Sequence, residues 1–327
     1  MNPTGKNAVD MHLTGLHHLT AICADAVGNH RFYTQALGMR MVKRTVNQDD
    51  TSAYHLFYGD GRATPGSDIT LFQWPVAPAR RGTRSIIRTG LRVNGKAALE
   101  WWAQHLTALG IAHGGIAERN GRLVIDFEDP EGQRLMLVDD GGAGEGEVWE
   151  RSTVPPEHQI RGLGPMVLSV QKLEPTDAVL QTLLDLKPNG QFKDQSLADG
   201  DIHVYAIGAG GPSAELQVAV EPHKAPGTEG AGAVHHLALR IPTFEAYDVW
   251  TQRLAQHRYP NSGPIDRHYF RSLYFREPNG ILFELATDGP GFAVDEPMET
   301  LGEKLALPPF LEARRNSIEK GLAPLGV

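Results

Sequence analysis

The stretch Leu16-His17-His18-Leu19-Thr20-Ala21-Ile22 (residues 16–22) has the alternation of a β-strand, and three later stretches open in the same way. These lie at 86–93, 163–170 and 233–241, so the pattern returns after roughly 70–80 residues. Each stretch is followed by apolar residues at helical spacing and then by short alternating strands. The sequence therefore predicts one βαβββ module that occurs four times.

Two modules end on the same kind of turn. The second contains Asp129-Pro130-Glu131-Gly132 and the fourth Glu277-Pro278-Asn279-Gly280, each followed by another strand. Proline presets φ for such a turn, and glycine accepts a positive φ. A βαβββ module leaves one face of a curved sheet open, and two modules side by side close it into a half-barrel. The predicted fold class is α+β, with four βαβββ modules forming two half-barrels.

The segment 141–157 is rich in Gly, Glu and Pro and is predicted to divide the chain. We expect an N-terminal domain at 12–140 with modules one and two, and a C-terminal domain at 158–290 with modules three and four. Residues 291–327 are expected to form a capping tail with helices. The apolar positions of that tail are Leu301, Leu305, Phe310, Leu311 and Ile318.

Composition excludes several classes of protein. The 327 residues are 41% hydrophobic and 21% charged, which is sufficient for a folded core, and the net charge of -8 disfavours nucleic-acid binding. The single cysteine, Cys23, fits a reducing compartment. Residues 1–12 lack a signal-like apolar run, and no stretch reaches the roughly 20 apolar residues of a membrane span. We expect a cytoplasmic protein without membrane or nucleic-acid partners, and leave open whether it is a homo-oligomer.

Alternation brings three ligand-type side chains to the inner faces of strands. In the first strand Leu19, Ala21 and Cys23 form the apolar face, so His18 points the other way. The same reasoning places His236 and Glu284 on the inner face of module four. Two imidazoles and one carboxylate make up the facial triad of non-haem Fe(II) sites, which leaves coordination positions free. The sequence therefore predicts a metal site.

The other modules lack these ligands. Pro165 stands at the place of His18 in module three, and Met136 at the place of Glu284 in module two; module one ends near Phe72. Only one site can then be assembled, from modules one and four. We therefore predict that modules one and four share one half-barrel and modules two and three the other.

The motifs that carry these residues resemble a known family. They are Leu16-His17-His18-Leu19-Thr20, Phe32-Tyr33, Leu37-Gly38, Tyr54-His55-Leu56, Thr64-Pro65-Gly66, Val234-His235-His236 and Phe283-Glu284. They are similar to the vicinal oxygen chelate superfamily of glyoxalases, bleomycin-resistance proteins and extradiol dioxygenases. Over essentially the whole chain, the sequence resembles hydroquinone ring-cleaving dioxygenases, the group that includes dichlorohydroquinone 1,2-dioxygenase.

The resemblance implies roles for particular residues. His18, His236 and Glu284 match the metal ligands, and Arg267 and Tyr274 match residues of the substrate pocket. The residues expected to support the ligands are His17, Thr20 and His235. The implied reaction is extradiol-type cleavage of a hydroquinone or catechol by O₂, with Fe(II), or alternatively Mn(II), as cofactor. Ile22, Phe72 and Leu282 are expected to give the site an apolar lining.

Two other functions remain open at this point. A glyoxalase-like isomerase or lyase would use the metal as a Lewis acid and usually needs a second carboxylate. Glu215 is the only loose candidate and falls in the wrong module. A metal-free binding protein of the bleomycin-resistance kind would leave the two histidines and the glutamate unexplained.

Overall fold

In the computed structural model, which describes residues 11–197 and 200–325, four βαβββ modules follow one another as predicted. The first two comprise β1 (Leu16–Cys23), α1 (Ala26–Arg31), β2 (Arg40–Val46), β3 (Tyr54–Gly59) and β4 (Asp68–Gln73), then β5 (Ser85–Val93), α2 (Gly95–Ala108), β6 (His113–Arg119), β7 (Arg122–Glu128) and β8 (Arg134–Asp139). The last two comprise β9 (Leu163–Val170), α3 (Leu173–Ala178), β10 (Lys187–Lys193), β11 (Asp201–Ala206) and β12 (Glu215–Val220), then β13 (Val234–Ile241), α4 (Phe244–Gln256), β14 (Ile265–Asp266), β15 (Phe270–Arg276) and β16 (Leu282–Pro290).

The strands form two curled eight-stranded sheets. The first has the order β14-β15-β16-β13-β1-β4-β3-β2 and combines modules four and one. The second has the order β10-β11-β12-β9-β5-β8-β7-β6 and combines modules three and two. At the centre of the first sheet β1 runs antiparallel to β13 and parallel to β4. The predicted pairing of modules is confirmed.

The helices pack on the outer faces of the sheets because the strands direct alternate apolar side chains towards them. Leu19, Ala21 and Cys23 of β1 have no exposed surface and belong to the main hydrophobic core. Asp25 begins α1 by accepting hydrogen bonds from the backbone N–H groups of residues 27 and 28. Helices α1 and α3 each continue as one π-helical turn. No described helix has the length and apolar character that crossing a membrane requires.

The predicted tail contains helices, but they are short. Two 3₁₀ turns come first, and the helices α5 (Pro309–Glu312) and α6 (Arg315–Gly321) follow. Between the second turn and α5 the chain passes beside β2, where Leu305 forms an isolated β-bridge with Arg44. The assignment of Phe310 to the apolar face was wrong, since 61% of it is exposed. Pro308 and Pro309 fix the start of this four-residue helix, and of its residues only Leu311 belongs to the core.

Some predictions fall on residues outside the described ranges. The absence of a leader-like run was inferred for residues 1–12, of which only Met11 and His12 are described. Residues 326 and 327 of the predicted tail are likewise outside. The domain boundaries near 140 and 158 stay a prediction.

Candidate metal centre

His18, His236 and Glu284 meet at the centre of the first sheet. They come from β1, β13 and β16, and one ligand atom of each lies within 4.8 Å of the others. The Nε2 atoms of His18 and His236 are 3.1 and 3.0 Å from Oε2 of Glu284. All three side chains are buried. Among the residues that the structure describes, this is the only such cluster of His, Cys, Asp or Glu.

One oxygen of Glu284 has the environment of a metal ligand. Oε1 accepts a hydrogen bond from the hydroxyl of Ser272 at 2.5 Å, but the buried Oε2 has no hydrogen bond from the described residues. His18 and His236 offset the cost of burying this carboxylate, and a bound cation would supply the direct partner that Oε2 lacks. Two imidazole nitrogens and one carboxylate oxygen are donors that suit Fe(II) and Mn(II). The residues present therefore fit the metal that the sequence predicts.

The protonation states favour metal binding. Burial would raise the pKa of Glu284, but the neighbouring His18 and His236 outweigh it and hold this pKa well below the usual value. Burial also lowers the pKa of His236, although Glu284 opposes that shift. At neutral pH this places an ionised carboxylate beside a neutral His236 imidazole, and these are the forms that ligate metals.

Each histidine of the cluster is bonded to the histidine before it. Nδ1 of His17 lies 2.9 Å from Nδ1 of His18, and Nδ1 of His235 lies 2.8 Å from Nδ1 of His236. Nε2 of His17 is also 3.0 Å from the carbonyl oxygen of Thr287. Burial, followed by the adjacent ligand, lowers the pKa of His17 to about 3 and that of His235 to about 4. With His17 neutral and its Nε2–H donated to the carbonyl, its Nδ1 accepts from His18 and leaves Nε2 of His18 free for the metal.

Replacing His17 by Leu should weaken metal binding. The substitution retains an apolar side chain but removes the acceptor that orients His18, so we expect Mn(II) affinity to fall by about 10–100-fold. Calorimetric titration of metal-free protein measures this. The control is His105→Leu: His105 also bonds a backbone carbonyl, that of Ala36 at 2.9 Å, but stacks on Trp101 in α2. Equal affinities of the two variants would contradict the role of His17.

A chain of hydroxyls joins His236 to His55, which was not among the predicted site residues. Oγ1 of Thr20 lies 2.9 Å from Nε2 of His236 and 2.8 Å from Oγ1 of Thr70. Thr70 in turn lies 2.9 Å from Nε2 of His55. Thr20 therefore contacts His236, one of the three predicted metal ligands. Burial lowers the pKa of His55 well below its usual value, so it is a neutral imidazole.

A cavity with about 440 Å³ of empty space opens over His18 and His236. Aromatic rings form much of its wall, and His55 lies between two of them, 4.0 Å from the Phe57 ring and 4.4 Å from the Phe72 ring. The remaining aromatic lining residues are Tyr269, Phe270 and Tyr274. The lining is suited to a flat apolar ligand that carries a few polar groups.

Arg267 and Tyr274, the residues predicted for the substrate pocket, both line this cavity. The guanidinium of Arg267 lies 5.5 Å from the centre of the Tyr274 ring and donates to Asp49 at 2.9 Å. Tyr274 pairs with Glu284 across β15 and β16, and its ring packs edge-on against His236. Burial, followed by the charge of Glu284, raises the pKa of Tyr274, which keeps its hydroxyl protonated at neutral pH.

The predicted lining needs correction. Phe72 lies in the cavity wall, but Ile22 and Leu282 do not. Alternation identified the correct face of each strand but not the position along it: Ile22 lies near the end of β1, where its backbone N–H donates to the carbonyl of Ala233, and Leu282 lines a separate cavity. His55 and Phe57 were missed, although Tyr54, Leu56 and Tyr58 occupy the core face of the same strand.

The second sheet contains ion pairs where the first contains the triad. Arg88 is 2.7 Å from Asp194, and Arg119 is 2.7 Å from Asp126. Glu215, the loose candidate for a second carboxylate, bonds Arg122 at 2.9 Å in this sheet. It therefore belongs to a different site from His18, His236 and Glu284.

Comparison with known proteins gives matches over most of the chain. The model of the Glyoxalase/Bleomycin resistance protein/Dioxygenase superfamily matches residues 15–137 and 162–285. MhqA of Bacillus subtilis strain 168, a candidate ring-cleaving dioxygenase, is 43% identical over 318 residues, which cover 96% of this chain and 100% of MhqA. Chlorohydroquinone/hydroquinone 1,2-dioxygenase of Sphingobium indicum is 32% identical over 318 residues, 93% of this chain and 94% of that protein. The crystal structure of a candidate dioxygenase from Bacillus subtilis has a TM-score of 0.88 at 36% identity and covers 96% of this chain and 98% of that one.

Proposed function

The chain belongs to the Glyoxalase/Bleomycin resistance protein/Dioxygenase superfamily, and from that premise we propose that it is a dioxygenase that opens the ring of a hydroquinone or catechol with O₂. The observation that carries the proposal is the buried cluster of His18, His236 and Glu284 beside a cavity with aromatic walls. The similarity to a hydroquinone 1,2-dioxygenase over 93% of the chain supports this substrate class.

We propose that His18, His236 and Glu284 hold Fe(II) or Mn(II). Such a metal, when bound, raises the acidity of a ring hydroxyl and brings the ring and O₂ together. His17 and His235 orient the two imidazoles through their Nδ1 contacts. The sequence leaves both metals and the oligomeric state open, and the cytoplasmic location stays a prediction.

The cavity residues bind and orient the diol. The rings of Phe57, Phe72 and Phe270 are placed to pack on the aromatic ring and exclude water from it. The second hydroxyl of a para-diol points away from the first, so it needs a partner elsewhere in the cavity. Arg267 supplies a fixed positive charge there, held in position by Asp49.

Tyr274 is the proposed proton donor. It lies in the cavity wall, beside His236 and across the strand pair from Glu284, and its raised pKa keeps the proton available at neutral pH. The neutral imidazole of His55 is an acceptor in the same cavity. General acid–base assistance of this kind contributes about 10²–10⁴-fold to a rate.

Replacing Tyr274 by Phe should lower turnover and leave the metal in place. We expect kcat for hydroquinone to fall by about 10²-fold or more, because the aromatic wall remains while the hydroxyl is lost. Oxygen uptake and the absorbance of the ring-opened product measure the rate, and metal analysis measures occupancy. Tyr259→Phe is the matched control: Tyr259 packs edge-on against Phe275 and is not part of the cavity lining.

The rival function predicts a different outcome. A glyoxalase-like isomerase would convert a 2-oxoaldehyde in the presence of glutathione and would take up no O₂ with any diol. That result with the Mn(II)- or Fe(II)-loaded wild-type protein would overturn the proposal. Uptake of one O₂ per ring opened would support it.

A further inference from the structure

A second cavity, with about 840 Å³ of empty space including the part open to solvent, has a strongly basic lining. Seven of its lining residues are Lys or Arg, and Glu229 is the only Asp or Glu among those that the structure describes there. The chain as a whole contains 31 Lys and Arg against 39 Asp and Glu. The lining of the basic cavity is therefore net positive, whereas the whole chain is net negative. Its concave shape strengthens the local electrostatic field.

Three of the seven cations are neutralised. Arg81 pairs with Glu128 at 2.6 Å, Arg88 with Asp194 at 2.7 Å and Lys224 with Glu221 at 2.7 Å. The other four have no carboxylate within 4.0 Å among residues 11–197 and 200–325. They are Arg80, Arg84, Arg134 and Arg276. The basic cavity thus contains positive charge that the described chain leaves uncompensated.

Arg134 is the most informative of the four. It is half-buried at the start of β8, yet its guanidinium makes no hydrogen bond or ion pair within the described part of the chain. Burial lowers its pKa, and Arg81 and Arg88 lower it further by repulsion. A guanidinium carries five N–H donors, and those of Arg134 have no acceptor among the described residues but remain open to the cavity, where a ligand can reach them. An anion would supply those acceptors.

Part of the wall of the basic cavity is apolar. Ile86, Ile281 and Leu282 contribute aliphatic surface, and His235 forms part of the wall between this cavity and the metal centre. A ligand that matched the whole lining would combine a negative head group with a short apolar body. A bare inorganic ion would leave the aliphatic surface unused.

We propose that the basic cavity binds a small organic anion whose carboxylate or phosphate head group is held by Arg134 and Arg84 and whose apolar body packs on Ile86, Ile281 and Leu282. Planar guanidinium groups bind both kinds of oxyanion through paired hydrogen bonds. The site is separate from the diol cavity, and the proposal does not depend on the reaction performed there.

Calorimetric titration of the full chain tests this with three probes of similar size. They are phenyl phosphate, phenylacetate and the neutral 2-phenylethanol. We expect at least one of the two anions to bind at least about tenfold more tightly than the alcohol, and the stronger of the two identifies the head group. The Arg134→Gln variant should bind that anion about tenfold less tightly or worse. Arg151→Gln removes the same charge from an exposed residue outside the cavity lining and should leave binding unchanged.

Two outcomes would overturn the inference. One is binding of both anions no tighter than that of the alcohol. The other is an Arg134→Gln variant whose affinity matches that of the wild type and of Arg151→Gln. If Arg134→Gln fails to fold, Arg84→Gln takes its place, because Arg84 lines the same cavity, is exposed, and has as its described side-chain contact a 3.4 Å bond to Gln171.

Discussion

Replacing Glu284 by Gln should abolish tight metal binding and ring cleavage while leaving the protein folded. Gln has nearly the same volume and can still bond Ser272, but it removes the only anionic donor of the His18, His236 and Glu284 cluster. Loss of a residue that merely supports a ligand costs about 10–100-fold in affinity, so loss of the carboxylate itself should cost at least about 100-fold.

Thermal unfolding separates this effect from a loss of structure. Mn(II) at about 1,000 times its dissociation constant should stabilise the wild type by about 4 kcal/mol, because it binds only the folded state. The Glu284→Gln variant should show no such gain. Without metal, the variant should remain folded but with a lower free energy of unfolding, because the folded protein stabilises the Glu284 charge through His18 and His236.

The control is the same substitution in the other sheet. Glu215 is as buried as Glu284 but bonds Arg122 and Gln217. Glu215→Gln should therefore lower stability and leave the Mn(II)-dependent gain intact. If Glu284→Gln retained that gain, or if Glu215→Gln lost it, the assignment of the metal centre would be wrong.

The triad was predictable from sequence because strand alternation decides which side chains share a face. His18 and His236 stand opposite apolar residues that have to enter the core, and the same holds for Glu284 between Phe283 and Leu285. The pairing of modules one and four followed from the lack of ligands elsewhere. Pro165 in module three and Met136 in module two stand at the places of His18 and Glu284, and neither has a carboxylate or an imidazole. Both inferences depend on local pattern alone.

Other parts of the site were not predictable in that way. Arg267 was identified only by resemblance; the chain next to it includes the two-residue strand β14 and His268 at φ 70, so no alternation extends through this segment. Ile22 and Leu282 were placed in the wrong cavity because alternation carries no information on depth. Pairs such as Lys43 with Asp295, 252 positions apart, require the folded topology.

Replacing Lys43 by Met should lower the free energy of unfolding by about 3–5 kcal/mol. Lys43 has no exposed surface, and its ammonium group bonds the carbonyl of Phe292 at 3.1 Å, Asp295 at 2.7 Å and Glu296. Met fills the space but leaves two carboxylates without their cation in a partly desolvated position. Urea unfolding of metal-free protein measures the loss.

The matched control is Lys96→Met. Lys96 also pairs with a glutamate, Glu100 at 3.3 Å, but both side chains are mostly exposed, so the change should cost no more than about 1 kcal/mol. A loss of that size for Lys43→Met as well would show that the segment 291–296 is not held by its charges.

The charges and the packing around Lys43 can be separated by removing all three ionic groups at once. The variant K43M/D295N/E296Q leaves no unpaired charge, so it should recover most of the stability lost in K43M. KM for hydroquinone should likewise be affected more in K43M than in the triple variant. The reason is that Tyr269 lines the diol cavity, donates its hydroxyl to Asp295 at 2.9 Å and lies beneath the Lys43 ammonium at 4.7 Å. In K43M the Tyr269 side chain loses its contact with the Lys43 ammonium. We therefore expect KM for hydroquinone to rise, with little change in metal content. A triple variant as unstable as K43M would mean that the Lys43 side chain acts by shape rather than by charge.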